Sequence, residues 1–93
     1  EQYWNRYDLT LLEGDIHRQL QQYREAEADY LAASHMCPNR FAPLEGLLSI
    51  YEDQGDSASV MRTAQAIMLK PVKIQSPAVT EIKIRAQQYL YRN

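Results

Sequence analysis

The chain has 93 residues and is poor in several residue types, with one cysteine, three glycines, one tryptophan and one phenylalanine. Because Cys37 is the sole cysteine, no internal disulfide can form, and the redox compartment stays open. No run approaches the roughly 18 apolar residues of a membrane-spanning helix, and no signal peptide is recognisable. The chain begins at Glu1 without a methionine, which predicts a fragment of a longer protein. We expect this fragment to be soluble.

The sequence also lacks the ligand spacing of a zinc site and the pairing of a nucleophile with a base. Neither a CxxC nor an HExxH motif occurs, and His17 and His35 are the two histidines. His35 and Cys37 lie two positions apart near a predicted helix end, where such side chains point in different directions. We therefore predict no metal, no cofactor and no catalytic residue, and we expect that this fragment is not an enzyme.

Charge is low overall, at a formal −2, but it is unevenly distributed. Residues 1–40 carry seven acids and four bases, residues 41–72 carry four and two, and residues 73–93 carry one and four. Since no block of like charge is long, the pattern does not indicate a nucleic-acid surface. The basic end instead suits the exposed side of a final helix and the negative end of its dipole.

The chain does contain an internal repeat, at a shift of 34 residues. The first copy carries Gly14, Tyr23, Ala26, Tyr30, Ala33 and Pro38. The second copy carries Leu44, Leu47, Tyr51, Gly55, Ala64 and Ile67, and it closes with Pro71 one position early. This period is typical of the tetratricopeptide repeat, in which each repeat is a pair of antiparallel helices.

The apolar spacing predicts five helices, at about residues 3–20, 23–36, 42–54, 57–69 and 77–91. We predict an all-α fold with two tetratricopeptide-type antiparallel helix pairs and a C-terminal capping helix, as a fragment of a right-handed α-solenoid. Residues 1–93 would form a single domain. Its parts would be repeat 1 at about 7–40, repeat 2 at about 41–72 and the capping helix at about 77–91.

Helix ends and helix sides follow from the same pattern. Gly55 is predicted to end the third helix, Asp56 or Ser57 to cap the fourth, and Ser76 with Pro77 to start the fifth. The first helix carries Leu9, Leu12, Ile16 and Leu20 on one stripe, with Trp4, Tyr7 and Leu11 beside it. The predicted inward positions of the later helices are Ala26, Tyr30 and Ala33; Leu44, Leu47, Leu48 and Tyr51; Val60, Met61, Ala64, Ile67 and Met68; and Val79, Ile82, Ala86, Tyr89 and Leu90.

Gly14 lies inside the first predicted helix, where glycine costs about 1 kcal/mol relative to alanine. We expect the partner helix to pass so close to this position that a side chain would not fit.

Tetratricopeptide arrays bind partners on the concave surface formed by the first helix of each pair. By position in the repeat, this surface would consist of Asp8, Leu11, Asp15, Arg18, Gln19, Glu45, Ser49, Glu52 and Asp53. Its acidic balance favours a basic or neutral peptide, so we predict a protein partner or peptide segment and no nucleic acid. His17 either lines this groove or fills the position that Tyr51 occupies in the second repeat, and we favour the second interpretation.

Several segments resemble one family more closely than a generic repeat. They are Tyr23-Arg24-Glu25-Ala26-Glu27, Ala33-Ser34-His35-Met36, Pro38-Asn39-Arg40-Phe41 with Pro43-Leu44, Lys70-Pro71-Val72-Lys73-Ile74, Ser76-Pro77 and Glu81-Ile82-Lys83. From about Leu12 to its end, the chain is similar to the C-terminal repeat domain of bacterial O-antigen ligase-like and polymerase-like membrane proteins. These proteins transfer or polymerise lipid-linked glycans, and their catalytic residues lie outside this region, so none can be carried over.

The resemblance implies a non-catalytic protein–protein interaction or scaffolding domain of a parent in the bacterial inner membrane, attached to the membrane only through that parent. The alternative is a purely structural tail, or one that self-associates weakly and binds no separate partner. Direct contact with a sugar substrate is a third interpretation. Tyr3, Trp4 and Tyr7 either cover the first repeat or, if a membrane span precedes them, lie at the bilayer interface.

Overall fold

The computed structural model describes residues 5–72 and 76–91, most of which lie in five α-helices. The helices are α1 Arg6–Gln19, α2 Tyr23–Met36, α3 Ala42–Gln54, α4 Ser57–Leu69 and α5 Pro77–Leu90. These two stretches contain no β-strand, so the predicted all-α fold with five helices is confirmed. Each helix packs against the next along the chain, and α1 also contacts α3. The Cα radius of gyration, 13.1 Å, is that of one compact unit.

Local signals set the ends of several helices. The side chains of Asn5, Asp56 and Ser76 cap α1, α4 and α5. Each accepts a hydrogen bond from the backbone N–H three residues on, at 2.8, 3.2 and 3.2 Å respectively. Gly55 ends α3 in the left-handed conformation, with φ of 69°. The predicted starts of α4 and α5 and the predicted end of α3 are therefore confirmed.

Two groups of buried side chains form the core. The group shared by α3, α4 and α5 contains Phe41, Leu48, Val60, Ala64, Ile67, Ile82 and Ala86. The group between α2 and α3 contains Ala26, Tyr30, Leu47 and Ile50. These residues confirm most of the predicted inward positions of α2 to α5, but the fully buried Ile50 lies outside the positions predicted for α3. Ile82 and Ala86 are in the core, so α5 packs on the apolar side of α4 and joins Leu48 of α3 in the same cluster.

Lys83 attaches α5 to the end of α4, although the helical spacing places it away from the main apolar side of α5. Its Nζ donates hydrogen bonds to the carbonyl oxygens of Ile67, Met68 and Lys70, at 2.9, 3.2 and 2.7 Å. The last carbonyls of a helix lack partners within it and form the negative end of its dipole. The Nζ also lies 5.3 Å from the ring centroid of Phe41. This charge therefore stabilises α4, whereas the sequence predicted that the basic end solvates α5.

α1 differs from the other helices, because its apolar stripe faces solvent. The leucine stripe, as we call it, consists of Leu9, Leu12, Ile16 and Leu20. Its members share one side of α1, as their spacing predicts, but between 42% and 62% of their surface is exposed. The buried side of α1 instead contains Tyr7 and Gly14. Tyr7 is covered, with the guanidinium of Arg40 5.6 Å from its ring centroid; Tyr3 and Trp4 lie outside the described residues.

Tyr30 explains why glycine lies on the buried side of α1. Its ring fills the space between Gly14 of α1 and Gly46 of α3, and Tyr30 is only 1% exposed. A methyl group on Gly14 would lie 2.7 Å from the ring, and one on Gly46 would lie 2.5 Å from it. Both distances are well below the carbon–carbon contact distance of about 3.5–4.0 Å. The predicted close approach at Gly14 is confirmed, and Gly46 has the same role on the facing helix.

Candidate functional site

α1, α3 and α5 border a cleft of about 440 Å³. Its lining consists of Leu11, Asp15, Arg18, Tyr30, Ala42, Glu45, Gly46, Ser49 and Arg85. The fold thus brings together the predicted concave-surface residues Leu11, Asp15, Arg18, Glu45 and Ser49. The other lining residues lie outside the predicted surface; of these, Tyr30 and Arg85 make the polar contacts that fix the cleft.

Tyr30 supports one wall of the cleft from below. Its hydroxyl donates a hydrogen bond to Asp15 Oδ1 at 2.5 Å. Burial of the phenol, and secondarily this hydrogen bond, raises the pKa of Tyr30 well above its usual value of 10.0. The phenol therefore stays neutral and acts as a donor, which holds the Asp15 carboxylate in one position at the edge of the cleft.

Arg85 forms the opposite wall and connects α5 to α3. Its guanidinium donates hydrogen bonds to Ser49 Oγ, at 3.1 Å, and to the carboxylate of Glu52. A second nitrogen of the same group lies 3.7 Å from the carboxylate of Glu45. Arginine suits such a position because its planar group presents several donors in fixed directions. Arg85 thus fixes the polar side chains of α3 that face the cleft.

Arg18 of α1 closes one end of the cleft by an ion pair with Asp53 of α3. Its Nε donates to Asp53 Oδ2 at 3.0 Å, and this hydrogen bond is the main reason that the pKa of Arg18 is raised. Beyond the pair lies a shallower depression of about 490 Å³, lined by Arg18, Gln19, Gln21, Tyr23 and Asp53. The predicted residues Gln19 and Asp53 therefore lie on a continuation of the surface rather than in the cleft.

The structure separates the last two predicted residues from the cleft. Glu52 is turned toward Arg85 and borders a different hollow, between α3, α4 and α5. Asp8 lies in the first turn of α1, where its backbone N–H donates to Asn5, and it does not line the cleft. The repeat position assigns both residues to the predicted surface, but neither of them lines the cleft.

The cleft lining is less acidic than the nine-residue surface predicted from the sequence, with which it shares five residues. The charged residues that line the cleft are Asp15, Glu45, Arg18 and Arg85, whose formal charges cancel. The lining excludes three of the predicted acids, Asp8, Glu52 and Asp53. It also includes Arg85, which comes from α5 and therefore has no position in a repeat-based prediction. A surface with fixed donors and fixed acceptors, and without excess charge, favours neutral peptides over basic ones.

Two further side-chain pairs join helices away from the cleft. His17 Nδ1 of α1 lies 2.5 Å from Asp29 Oδ2 of α2, and the hydroxyl of Tyr51 in α3 donates to the carboxylate of Glu27 in α2. His17 does not line the cleft, and its contact with Asp29 connects α1 to α2. Tyr51 connects α3 to α2 in a similar way, which agrees with the interpretation that His17 fills the position of Tyr51 in the first repeat. Burial, followed by the Glu27 hydrogen bond, raises the pKa of Tyr51 to about 12.

His35 and Cys37, the pair considered in the sequence, lie away from the cleft. His35 is exposed at the end of α2 and Cys37 is half-buried just after it, both outside the cleft lining. Within residues 5–72 and 76–91, no group of three or more His, Cys, Asp or Glu side chains is arranged to hold a metal ion. In the same residues, every helix falls short of the length and hydropathy that crossing a membrane requires.

Comparison of the chain with known protein families, with curated proteins and with solved structures gave no significant match.

Proposed function

We propose that the chain is a helical-repeat interaction module that binds a short, mainly uncharged peptide segment of a partner protein in the cleft between α1, α3 and α5. One observation supports this most directly: the cleft presents Arg18 and Arg85 as donors and Asp15 and Glu45 as acceptors. An extended peptide offers unpaired N–H and C=O groups along its length, so it needs both kinds of partner. The contacts of Tyr30 and Ser49 hold two of these groups in place before binding.

The polar groups of the cleft are fixed by the fold, which reduces the ordering cost of binding. Asp15 is held by Tyr30, and Arg85 is held between the side chains of Ser49 and Glu52. Arg18 is held by Asp53. A peptide bound here would therefore meet groups that already have their binding geometry.

The proposal extends to the type of repeat and to its parent. The 34-residue signature and the tail segments from Tyr23 to Lys83 support a tetratricopeptide module of an O-antigen ligase-like inner-membrane protein. In that setting the module would hold a partner of the glycan-assembly machinery near the membrane enzyme and perform no chemistry.

Deleting the module from the parent protein should abolish glycan ligation while the parent's abundance in the membrane stays unchanged. Loss of abundance would instead indicate a purely structural tail.

The binding site itself can be tested with a library of random peptides displayed for selection. Ala42 is exposed and lines the cleft, so Ala42→Trp should fill the cleft without disturbing the core. Ala66→Trp is the matched control, because Ala66 is exposed on α4 outside the cleft. Selected peptides should bind the wild type and the control equally, and should bind Ala42→Trp at least about tenfold more weakly. Equal binding to Ala42→Trp, or failure to select any peptide, would contradict the proposal.

A further inference from the structure

The leucine stripe of α1 is a second surface, separate from the cleft. At about 100° per residue, its members fall within a sector of about 80° of the helix. This sector points away from Tyr7 and Gly14, the residues by which α1 is buried. Its exposed fractions are 47%, 42%, 48% and 62% for Leu9, Leu12, Ile16 and Leu20. α1 therefore has two contact sides, of which the fold uses only one.

α5, the last described helix, has a different outward side. The outward side of α5 is mainly polar, with Thr80, Glu81, Gln87 and Gln88 exposed beside Ile84 and Tyr91. Helical repeats need such a polar outer face at each end to remain soluble. α1, the first described helix, instead presents a row of aliphatic side chains on its outward side, which is typical of a contact surface.

The shape of this row fits one helix. The intervals along the leucine stripe are three, four and four residues, which is the spacing of a helix–helix seam. From Leu9 to Leu20 the row extends about 16 Å along α1. A partner helix of about three turns would cover it completely.

The charges beside the row indicate what kind of helix fits. Asp8 lies on one edge of the leucine stripe and Glu13 on the other, and neither has an ion-pair partner within residues 5–72 and 76–91. Arg18, in contrast, lies on the cleft side of α1 and is paired with Asp53. Arg6 adds one base in the first turn, on the Glu13 edge. Each edge therefore carries one acid that is unpaired among the described residues: Asp8 lies beside the first turn of the row, and Glu13 lies near its middle.

This charge pattern disfavours two other occupants. In an antiparallel pair of two copies related by a two-fold axis, the same edges meet, so Glu13 would face Glu13 of the second copy. In a parallel pair, the Asp8 edge would face the Glu13 edge. Like charges in contact oppose association in both arrangements. An anionic membrane surface would be repelled for the same reason.

We propose that the leucine stripe is a docking site for an amphipathic helix of a partner protein, whose own apolar row is flanked by lysine or arginine. The partner's apolar side chains would pack between those of the leucine stripe. Its basic flanks would pair with Asp8 and Glu13. Because this surface lies on the other side of α1 from the cleft, the site can exist whether or not the cleft binds a peptide.

Two synthetic helical peptides of about 14 residues test this proposal. Both carry the same leucine row; one has lysines along its flanks and the other has glutamates. Their binding is measured by fluorescence anisotropy at low and high salt. The lysine peptide should bind the wild type at least about tenfold more tightly than the glutamate peptide, and added salt should weaken it.

A matched pair of variants locates the binding. Ile16→Gln removes the centre of the leucine stripe, and Ile84→Gln is the control, because the two isoleucines are 48% and 49% exposed. Circular dichroism should show the same folding for both, since neither side chain is in the core. The lysine peptide should bind Ile84→Gln as it binds the wild type, and Ile16→Gln at least about tenfold more weakly.

Four results would overturn the proposal. They are equal binding of the two peptides, equal binding to the two variants, no binding of the lysine peptide up to about 1 mM, and self-association of the wild type that Ile16→Gln abolishes. The last, measured by sedimentation, would assign the leucine stripe to a second copy of the chain.

Discussion

Gly46→Ala is the sharpest test of how the first three helices fit together. The added methyl group would lie 2.5 Å from two ring atoms of Tyr30. The ring has little freedom to move, because Tyr30 is 1% exposed and its hydroxyl is hydrogen-bonded to Asp15. On the other side of the ring, Gly14 leaves no spare space either, since a methyl group there would be 2.7 Å from the ring. The substitution therefore has to push α3 away from α2.

Two opposing effects determine the size of the change. Alanine is favoured over glycine within a helix by about 1 kcal/mol. Overpacking a closed site costs about 1–3 kcal/mol, and the upper end applies to Tyr30, which cannot retreat. We expect a net loss of about 2 kcal/mol in the free energy of unfolding. For a domain of this length, that loss lowers the Tm by about 8–16 °C.

Thermal and urea unfolding followed by circular dichroism measure this loss. A double-mutant cycle with Tyr30→Leu identifies its cause, because Gly46→Ala should be neutral or stabilising once the ring is absent. Ala66→Gly, at an exposed position of α4, calibrates the helix propensity and should cost about 1 kcal/mol. An unchanged or raised Tm for Gly46→Ala would refute the reasoning.

Three other perturbations test contacts elsewhere in the fold. The pKa of Tyr51, raised from 10.0 to about 12, means that the fold favours the neutral phenol, so its stabilising contribution is complete below pH 10 and is lost as pH rises toward 12. The urea midpoint of the wild type should fall over this range more steeply than that of Tyr51→Phe; parallel curves would contradict the assignment. Lys83→Met removes the donor to three carbonyls at the end of α4 and should cost about 1–2 kcal/mol in urea unfolding, whereas no loss would show that these hydrogen bonds contribute nothing. Truncation before Ser76 uncovers Ile67 and its neighbours, so the shortened chain should aggregate or melt at a lower temperature; an unchanged Tm would contradict the covering role of α5.

The sequence is sufficient for most helix ends, because these depend on local chemistry. Asp56 and Ser76 are capping residues whose side chains reach only three residues along the chain, and Gly55 adopts a conformation that other residues avoid. Most inward positions of α2, α4 and α5 also follow from the sequence, because the buried residues of each of these helices lie on one side. Such features can be predicted without knowing which residues meet in the tertiary structure. α3 is buried on two sides, so Ile50 lies outside the stripe predicted for it.

The orientation of α1 could not be predicted in the same way. Its largest apolar side chains form the leucine stripe, so periodicity alone indicates that stripe as the contact side. The actual contact side is selected by Gly14, which has no side chain and therefore contributes nothing to an apolar pattern. The need for glycine at position 14 follows only from the tertiary structure, in which the ring of Tyr30 lies between Gly14 and Gly46. That placement depends on tertiary packing between residues far apart in the chain.

In the cleft, too, some residues can be predicted from the sequence and others depend on tertiary packing. Five of the nine residues that the repeat period assigns to one surface line the cleft, among them Asp15, Arg18 and Ser49. Arg85 lies on α5, which has no counterpart in the repeat, so no shift of the sequence aligns it with the concave positions. Only the packing of α5 against the core brings its guanidinium to Ser49 and Glu52.

The position of Tyr30 also affects how the protein opens. Arrays of helical repeats are nearly one-dimensional, so terminal units can unfold while the others stay intact. Here the ring comes from the first helix pair but is enclosed by Gly46 of the second, and its hydroxyl is tied to Asp15 of the first. Fraying of either pair would uncover the same buried ring. The backbone amides around it should therefore exchange with solvent only when α1, α2 and α3 open together, so these helices should belong to one foldon.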